Sequence, residues 1–374
     1  MHNRFLKLIG ACLSIIILLL TAVLISSVVF PKEAVIAPHI APDIASLRSS
    51  MMIISHQFPF EKTTISLTVP INVSVYEGAR QAEKATTVYG NISETVWLAQ
   101  SYRAMVQDPS QESLYTAILA EADKIRLQKK LSDDEYFELI TVYTQSLRYE
   151  TREQNPAKFP VETVVDLAGD CDDKSLLLAG LLSREGYPVA LLLFVPESHM
   201  AVGVGSDKYL YKNTGYTFIE TTNYSFVGVP TEKLGGNLTL YSDPVIIPIS
   251  NGTKFYTSGS ETRYIHDMYV LSDLKVKELE PQVKNIESDL AYQKEKIAQL
   301  KLQIQEIRNP GNSNSYNAQV AVHNTLVSDY NSRLNAYREL FSRYEKYALV
   351  HNYILEHMYD RKGVFEYVKK NMPS

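Results

Sequence analysis

Of the two cysteines in the 374-residue chain, Cys171 stands in the stretch "GDCDDKSLLLAGLL" (169–182), wedged among aspartates at a helix start. A thiol at a helix N-terminus gains twice, because the helix dipole favours the thiolate and the first backbone amides can bind a developing oxyanion. Asp170, Asp172 and Asp173 oppose the first gain, since neighbouring carboxylates raise a thiol's pKa above its ordinary value of about 8.5. A basic partner is therefore required. The usual one is an imidazole held in place by a carboxylate or an amide.

The stretch "ESHMAVGV" supplies the imidazole. On a strand there, His199, Ala201 and Gly203 share one face, so the histidine sits among small residues that leave room for a substrate or a thiol. Further on, "YTFIETT" places Glu220 on a following strand, where its carboxylate can accept from the second ring nitrogen. A single strand histidine is more often structural, and a strand glutamate more often faces water. Their joint occurrence in the order thiol, imidazole, carboxylate carries the chemical meaning.

The elements that must position these groups are read from pattern. Helical spacing covers 93–106, 112–128 and 132–149, the third opened by the cap-type residues of "LSDDE". Leu176, Leu177, Leu178, Leu181 and Leu182 make the helix after Cys171 apolar on nearly every side, as suits a central buried helix ending at Gly186. "YPVALLLFV", "HMAVGV", "KYLY" and "YTFIETT" read as consecutive short strands. Helices first and strands afterwards give an α+β domain over 61–260. "TISLTVPINVSVY" (64–76) alternates like a strand, with Pro70 confining it to an edge, and 31–60 reads as a linker.

Two appendages flank this domain. Residues 8–30 are uncharged and almost wholly apolar, long enough at 1.5 Å per residue to cross a hydrocarbon core. Arg4 and Lys7 precede the run, so residues 1–7 are expected in the cytoplasm and the bulk of the chain outside, on a single-pass anchor in the cell membrane. A cleaved signal peptide wants a shorter apolar core and a better cleavage site than "VVFPKEAVIAPH". Cys12 is then a small apolar residue of the anchor. The glycosylation sequons at Asn72, Asn91, Asn223, Asn237 and Asn251 all follow it.

The second appendage spans 270–360. Val276, Leu279, Val283, Ile286, Leu290, Gln293, Ile297, Leu300, Ile304 and Ile307 form a heptad seam, and Val320 to Ala348 through Tyr337 and Phe341 restart it after the turn-rich 309–315. An antiparallel coiled-coil hairpin is expected, with Pro281 in the first turn of its first arm or at a kink within that arm, and with spare surface for a protein partner. A net charge of −5 and the lack of a basic patch with interleaved aromatics argue against nucleic acid.

The blocks "GDCDDKSLLLAGLLSREGYPVALLL", "HMAVGV" and "YTFIETT" resemble the three signature blocks of the transglutaminase-like superfamily, which has a papain-like fold. The resemblance covers roughly 94–222 and implies Cys171 as nucleophile, His199 as general base and acid, and Glu220 as the group that orients the imidazole. It also implies an upstream polar donor to the oxyanion, for which Gln145 in "VYTQSLRY" is the candidate, an exposed helical glutamine being the other reading. The tryptophans that shield the acyl-enzyme in the cross-linking members are missing near the thiol, Trp97 being the only one, so thiol-dependent peptide or amide hydrolysis of an envelope protein or peptide is favoured. In one bacterial branch acidic residues beside the cysteine bind calcium, which makes Asp170 and Asp172 calcium candidates; helix capping and dipole complementation are the alternative. No other cofactor is implied. The rival functional class is an inactive domain serving as scaffold, with the hairpin gripping a partner.

Overall fold

A computed structural model of the chain describes residues 2–29, 33–42, 50–151, 156–230, 238–307 and 313–373. Two compact units emerge, the first made of 1–58, 64–224 and 240–256, the second of 59–63, 225–239 and 257–374. Together they mix helices with small, mostly antiparallel sheets, which is an α+β composition.

The first unit opens with α1 (His2–Val29), whose described side chains, 13–26, are all exposed. Among the described residues no helix is long and apolar enough to cross a membrane. The Cys12 side chain, Asn237 and residues 309–312 of the expected break at 309–315 lie outside what is described, while 313–315 already belong to the following helix and not to a turn.

The stretch expected as a linker holds two strands. β1 (Ala34–Ile36) pairs with β4 (Thr87–Tyr89), and β2 (Met51–Phe60) forms a two-stranded hairpin with β3 (Thr63–Asn72). In β3 the buried Ile65, Leu67, Val69 and Ile71 alternate with exposed residues, and Pro70 stands on the exposed side of a strand that is an edge by construction. The chain then turns into α2 (Val73–Gln81), capped by the Asn72 side chain on the Ser74 amide.

Helices α3 (Glu94–Gln107), α4 (Glu112–Lys129) and α5 (Asp133–Ser146) pack against the thiol helix. A capping box between Ser132 and Glu135 starts α5, which is buried from Asp134 to Gln145. It stops three residues short of the expected end because Arg148 and Tyr149 (β5) leave the helix to pair in parallel with Ala168 and Gly169 (β6). Between them lies α6 (Pro160–Asp166), opened by Pro160 at its first position.

The central helix α7 (Cys171–Arg184) buries Leu176, Leu177, Leu178, Leu181 and Leu182 completely. Each buried leucine contributes roughly 1.5–3 kcal/mol. Gly180 lets α4 approach: a Cβ there would lie 2.4 Å from the Tyr115 ring. Gly186, at φ +87°, ends the turn after the helix. Beside α7 stands a four-stranded antiparallel sheet in the order β10-β7-β8-β9, from β7 (Pro188–Phe194), β8 (His199–Val204), β9 (Thr217–Ile219) and β10 (Val245–Asn251).

The expected strand "KYLY" is instead a turn-rich loop, with Tyr209 and Lys212 at positive φ. Its apolar character belongs to Tyr211, which packs on the rings of Phe194 and Phe218 from the loop. The fourth strand is β10, whose Pro248 sits at a register shift against β7.

The second unit contains α8 (Gly259–Glu306), α9 (Ser313–Glu356) and α10 (Arg361–Asn371). The long helices run antiparallel, since Asp289 meets Arg333 at 3.0 Å and Tyr269 stacks on His351 at 4.8 Å. They have 48 and 44 residues, or about 70 Å each at 1.5 Å per residue. Of the two places expected for Pro281, α8 has it within the helix and not in the first turn. The expected seam positions of α8 are the less exposed ones throughout. On α9 the seam passes through Leu340, while Phe341 turns outward at 38% exposure. Buried apolar positions run along α8 as far as Leu290 and along the end of α9 from Tyr347, and the completely buried Val350 and Ile354 are joined by Val364 and Val368 of α10.

Candidate active site

The site is built where α7 begins. Asp170 is the N-cap, its side chain accepting from the Asp173 amide at 3.3 Å, and Asp173 returns the bond to the Asp170 amide at 3.2 Å. Gly169 makes this possible, because a Cβ there would come within 2.6 Å of Asp173 Cβ. The β5–β6 pairing holds the segment before the cap, with Glu150 donating its amide to the Gly169 carbonyl at 3.2 Å. Cys171 is thereby fixed as the first residue of α7, a free thiol that is partly exposed by area.

The head of β8 passes the sulfur. Sγ of Cys171 lies 3.9 Å from the Ser198 carbonyl oxygen, and the Met200 amide also faces the sulfur. His199 sits between those two residues. The residue is 5% exposed, and its Nε2 lies 3.3 Å from Oε2 of Glu220, within ion-pair reach but off the line of a good hydrogen bond. Strand register explains the meeting. Gly203 faces Phe218 and Val202 faces Ile219, so with the two-residue period Glu220 emerges on the same face as His199 and Ala201.

Glu220 is 1% exposed and firmly held. Its Oε1 accepts from the Thr221 amide at 2.9 Å, the Thr222 amide at 2.9 Å and the Thr222 hydroxyl at 2.8 Å, which leaves Oε2 turned to the imidazole. Gln145, expected as an exposed helical residue or an oxyanion donor, is 3% exposed and donates Nε2 to the Glu220 carbonyl at 2.8 Å. The structure therefore puts it behind the acid. The Thr221 hydroxyl lies 3.0 Å from the Ser175 hydroxyl and 3.4 Å from the Cys171 carbonyl, and the Ser175 hydroxyl lies 3.2 Å from the Met200 carbonyl; their two protons serve two of these three contacts at a time, and together they tie α7, β8 and the segment after β9.

The expected opposition of the aspartates, joined by burial, outweighs the help of the helix dipole. Burial, then the charge of Asp172, with further push from Asp170 and Glu220, raises the Cys171 thiol to about 12, against a smaller opposing effect of the Met200 amide. At neutral pH the resting sulfur is protonated. Burial, followed by the hydrogen bond and charge of Asp170, pushes the Asp172 carboxyl well above the usual carboxylate range. Two tyrosines share the neighbourhood. Tyr102 of α3 and Tyr149 of β5 are both raised, first by burial, and both feel Cys171 and Asp170.

The calcium reading fits poorly. Oxygens of Asp170, Asp172 and Asp173 lie within 4.8 Å of one another. However, Asp173 spends its carboxylate on the Lys158 amide at 2.6 Å and the Asp170 amide, and Asp170 caps α7. Two remaining carboxylates that share a hydrogen bond are far from the six to eight oxygens calcium takes. Helix capping accounts for Asp170 and Asp173.

Sequence reasoning missed Lys174. It is wholly buried, and burial lowers its ammonium to about 7 while the Glu220 charge pushes back. A lysine in the first turn of a buried helix, at the positive end of the dipole, was the available signal. In comparisons with known proteins the chain matches no family model, no curated protein and no solved structure.

Proposed function

We propose that the first unit is a transglutaminase-like, papain-like domain that acts as a thiol-dependent peptide or amide hydrolase, held outside the cell membrane by the apolar run 8–30 and acting on an envelope protein or peptide. The observation that carries the reading is the 3.3 Å approach of His199 Nε2 to the buried Glu220 carboxylate on the strand whose head passes the Cys171 sulfur. In this reading Glu220 fixes the imidazole through Nε2, so Nδ1 is the nitrogen that serves the thiol. Because the resting thiol is protonated, His199 takes its proton as the sulfur attacks the carbonyl carbon. The tetrahedral oxyanion is received by amides at the head of α7, and the imidazolium returns the proton to the leaving amine. Water then cleaves the thioester with His199 again as base, regenerating the thiol.

An activity-based acyl probe on the full chain in detergent tests this. Cys171→Ala should abolish labelling, and His199→Ala should slow it by about a hundredfold or more, the usual range for a general base. Glu220→Gln should slow it less, because the base remains. Labelling of the parent at a rate unaffected by His199→Ala would sink the catalytic reading and leave the domain as a scaffold whose hairpin binds the partner.

A further inference from the structure

Lys174 Nζ donates to the carbonyls of Gln145 at 3.0 Å, Leu147 at 2.8 Å and Thr222 at 3.2 Å. Three acceptors match the three protons of an ammonium group. Two of them belong to Gln145 in the last turn of α5 and to its C-cap Leu147, at the end where the helix dipole is negative and cations are favoured. The third lies two residues beyond Glu220. On the other side, the Glu220 carbonyl receives Gln145 Nε2 at 2.8 Å. The main chain carrying the acid is thus tied down at Glu220 and at Thr222, and both ties converge on the end of α5. Lys174 stands within the first turn of the helix that opens with Cys171, so one rigid turn separates the thiol from the clamp.

We propose that Lys174, acting with Gln145, is a positioning residue of the triad: it fixes the spacing between the thiol helix and the segment bearing Glu220, and so keeps the carboxylate on His199 Nε2. The inference rests on the thiol reading of the site. A lysine that merely filled the core would leave the state of His199 indifferent to its removal, and this separates the two roles.

The test uses the full chain with nitrogen-15 in its histidines, read by long-range proton–nitrogen NMR, in the parent, Lys174→Met, Gln145→Leu, Glu220→Gln and the double variant Lys174→Met/Glu220→Gln. The expected result is an Nε2–H tautomer for His199 in the parent that is lost in all three single variants while helical circular dichroism is kept. Acyl-probe labelling of Cys171 should fall about tenfold in each, as displacement of a positioned group does, and no further in the double variant. A folded Lys174→Met or Gln145→Leu protein with the parental tautomer and labelling rate would overturn the proposal, as would multiplicative losses in the double variant. If Lys174→Met does not fold, Gln145→Leu decides, since it cuts the neighbouring tie and leaves the ammonium in place. A parent that takes up no acyl probe defeats the thiol reading, while the tautomer comparison still decides whether the clamp orients His199.

Discussion

At the scale of single residues, the thiol is governed by burial more than by its place on the helix. A sulfur that is only partly open to water and stands beside Asp172 and Asp170 is costly to ionise, and the dipole of one helix does not reverse that. Iodoacetamide should therefore alkylate Cys171 at pH 7 at least tenfold more slowly than a cysteine in a short peptide, with the rate still climbing above pH 9. Asp172→Asn removes the nearest negative charge and should move that climb to lower pH. Fast alkylation with a plateau below pH 8 would mean a preformed thiolate–imidazolium pair instead. Cys171, His199 and Glu220 could be singled out in the sequence because each stands in its own short block beside a recognisable element, at the start of α7, at the head of β8 and one residue past the end of β9. Lys174 and Gln145 were not, since their partners are backbone carbonyls, which leave no trace in residue types.

At the scale of elements, legibility followed local period. The thiol helix and the hairpin seam could be read because apolar spacing sets which face is buried. β10 was missed because Pro248 interrupts it, and "KYLY" was misread because a loop tyrosine buried against Phe194 and Phe218 looks like a strand residue. In the hairpin, the fully buried positions cluster where α10 joins the two long helices, through Val350, Ile354, Val364 and Val368. A fragment of 280–356 lacks α10 and the start of α8, and should be markedly less helical by circular dichroism than one of 257–373. Within the full chain, Ile354→Ala should cost about 2–5 kcal/mol in denaturant unfolding of the helical signal, as core truncations do. Ile304→Ala, at a half-buried position, should cost less than half as much. Equal costs at both sites would mean that the seam is packed evenly along its length.

At the scale of the whole molecule, the proposed topology makes one demand. Protease added outside intact cells should degrade nearly the whole chain and leave a small membrane-bound N-terminal piece, whereas protection of 61–260 would place the domain inside. An exterior thiol would also meet peroxides and disulfides. Both react with the thiolate rather than the thiol, so a sulfur that titrates near 12 presents little of the vulnerable form at neutral pH. The burial that makes Cys171 depend on His199 for its reactivity would thus also give it a long chemical lifetime in an oxidising compartment, sparing it from sulfenic acid and mixed disulfides until a substrate engages the imidazole.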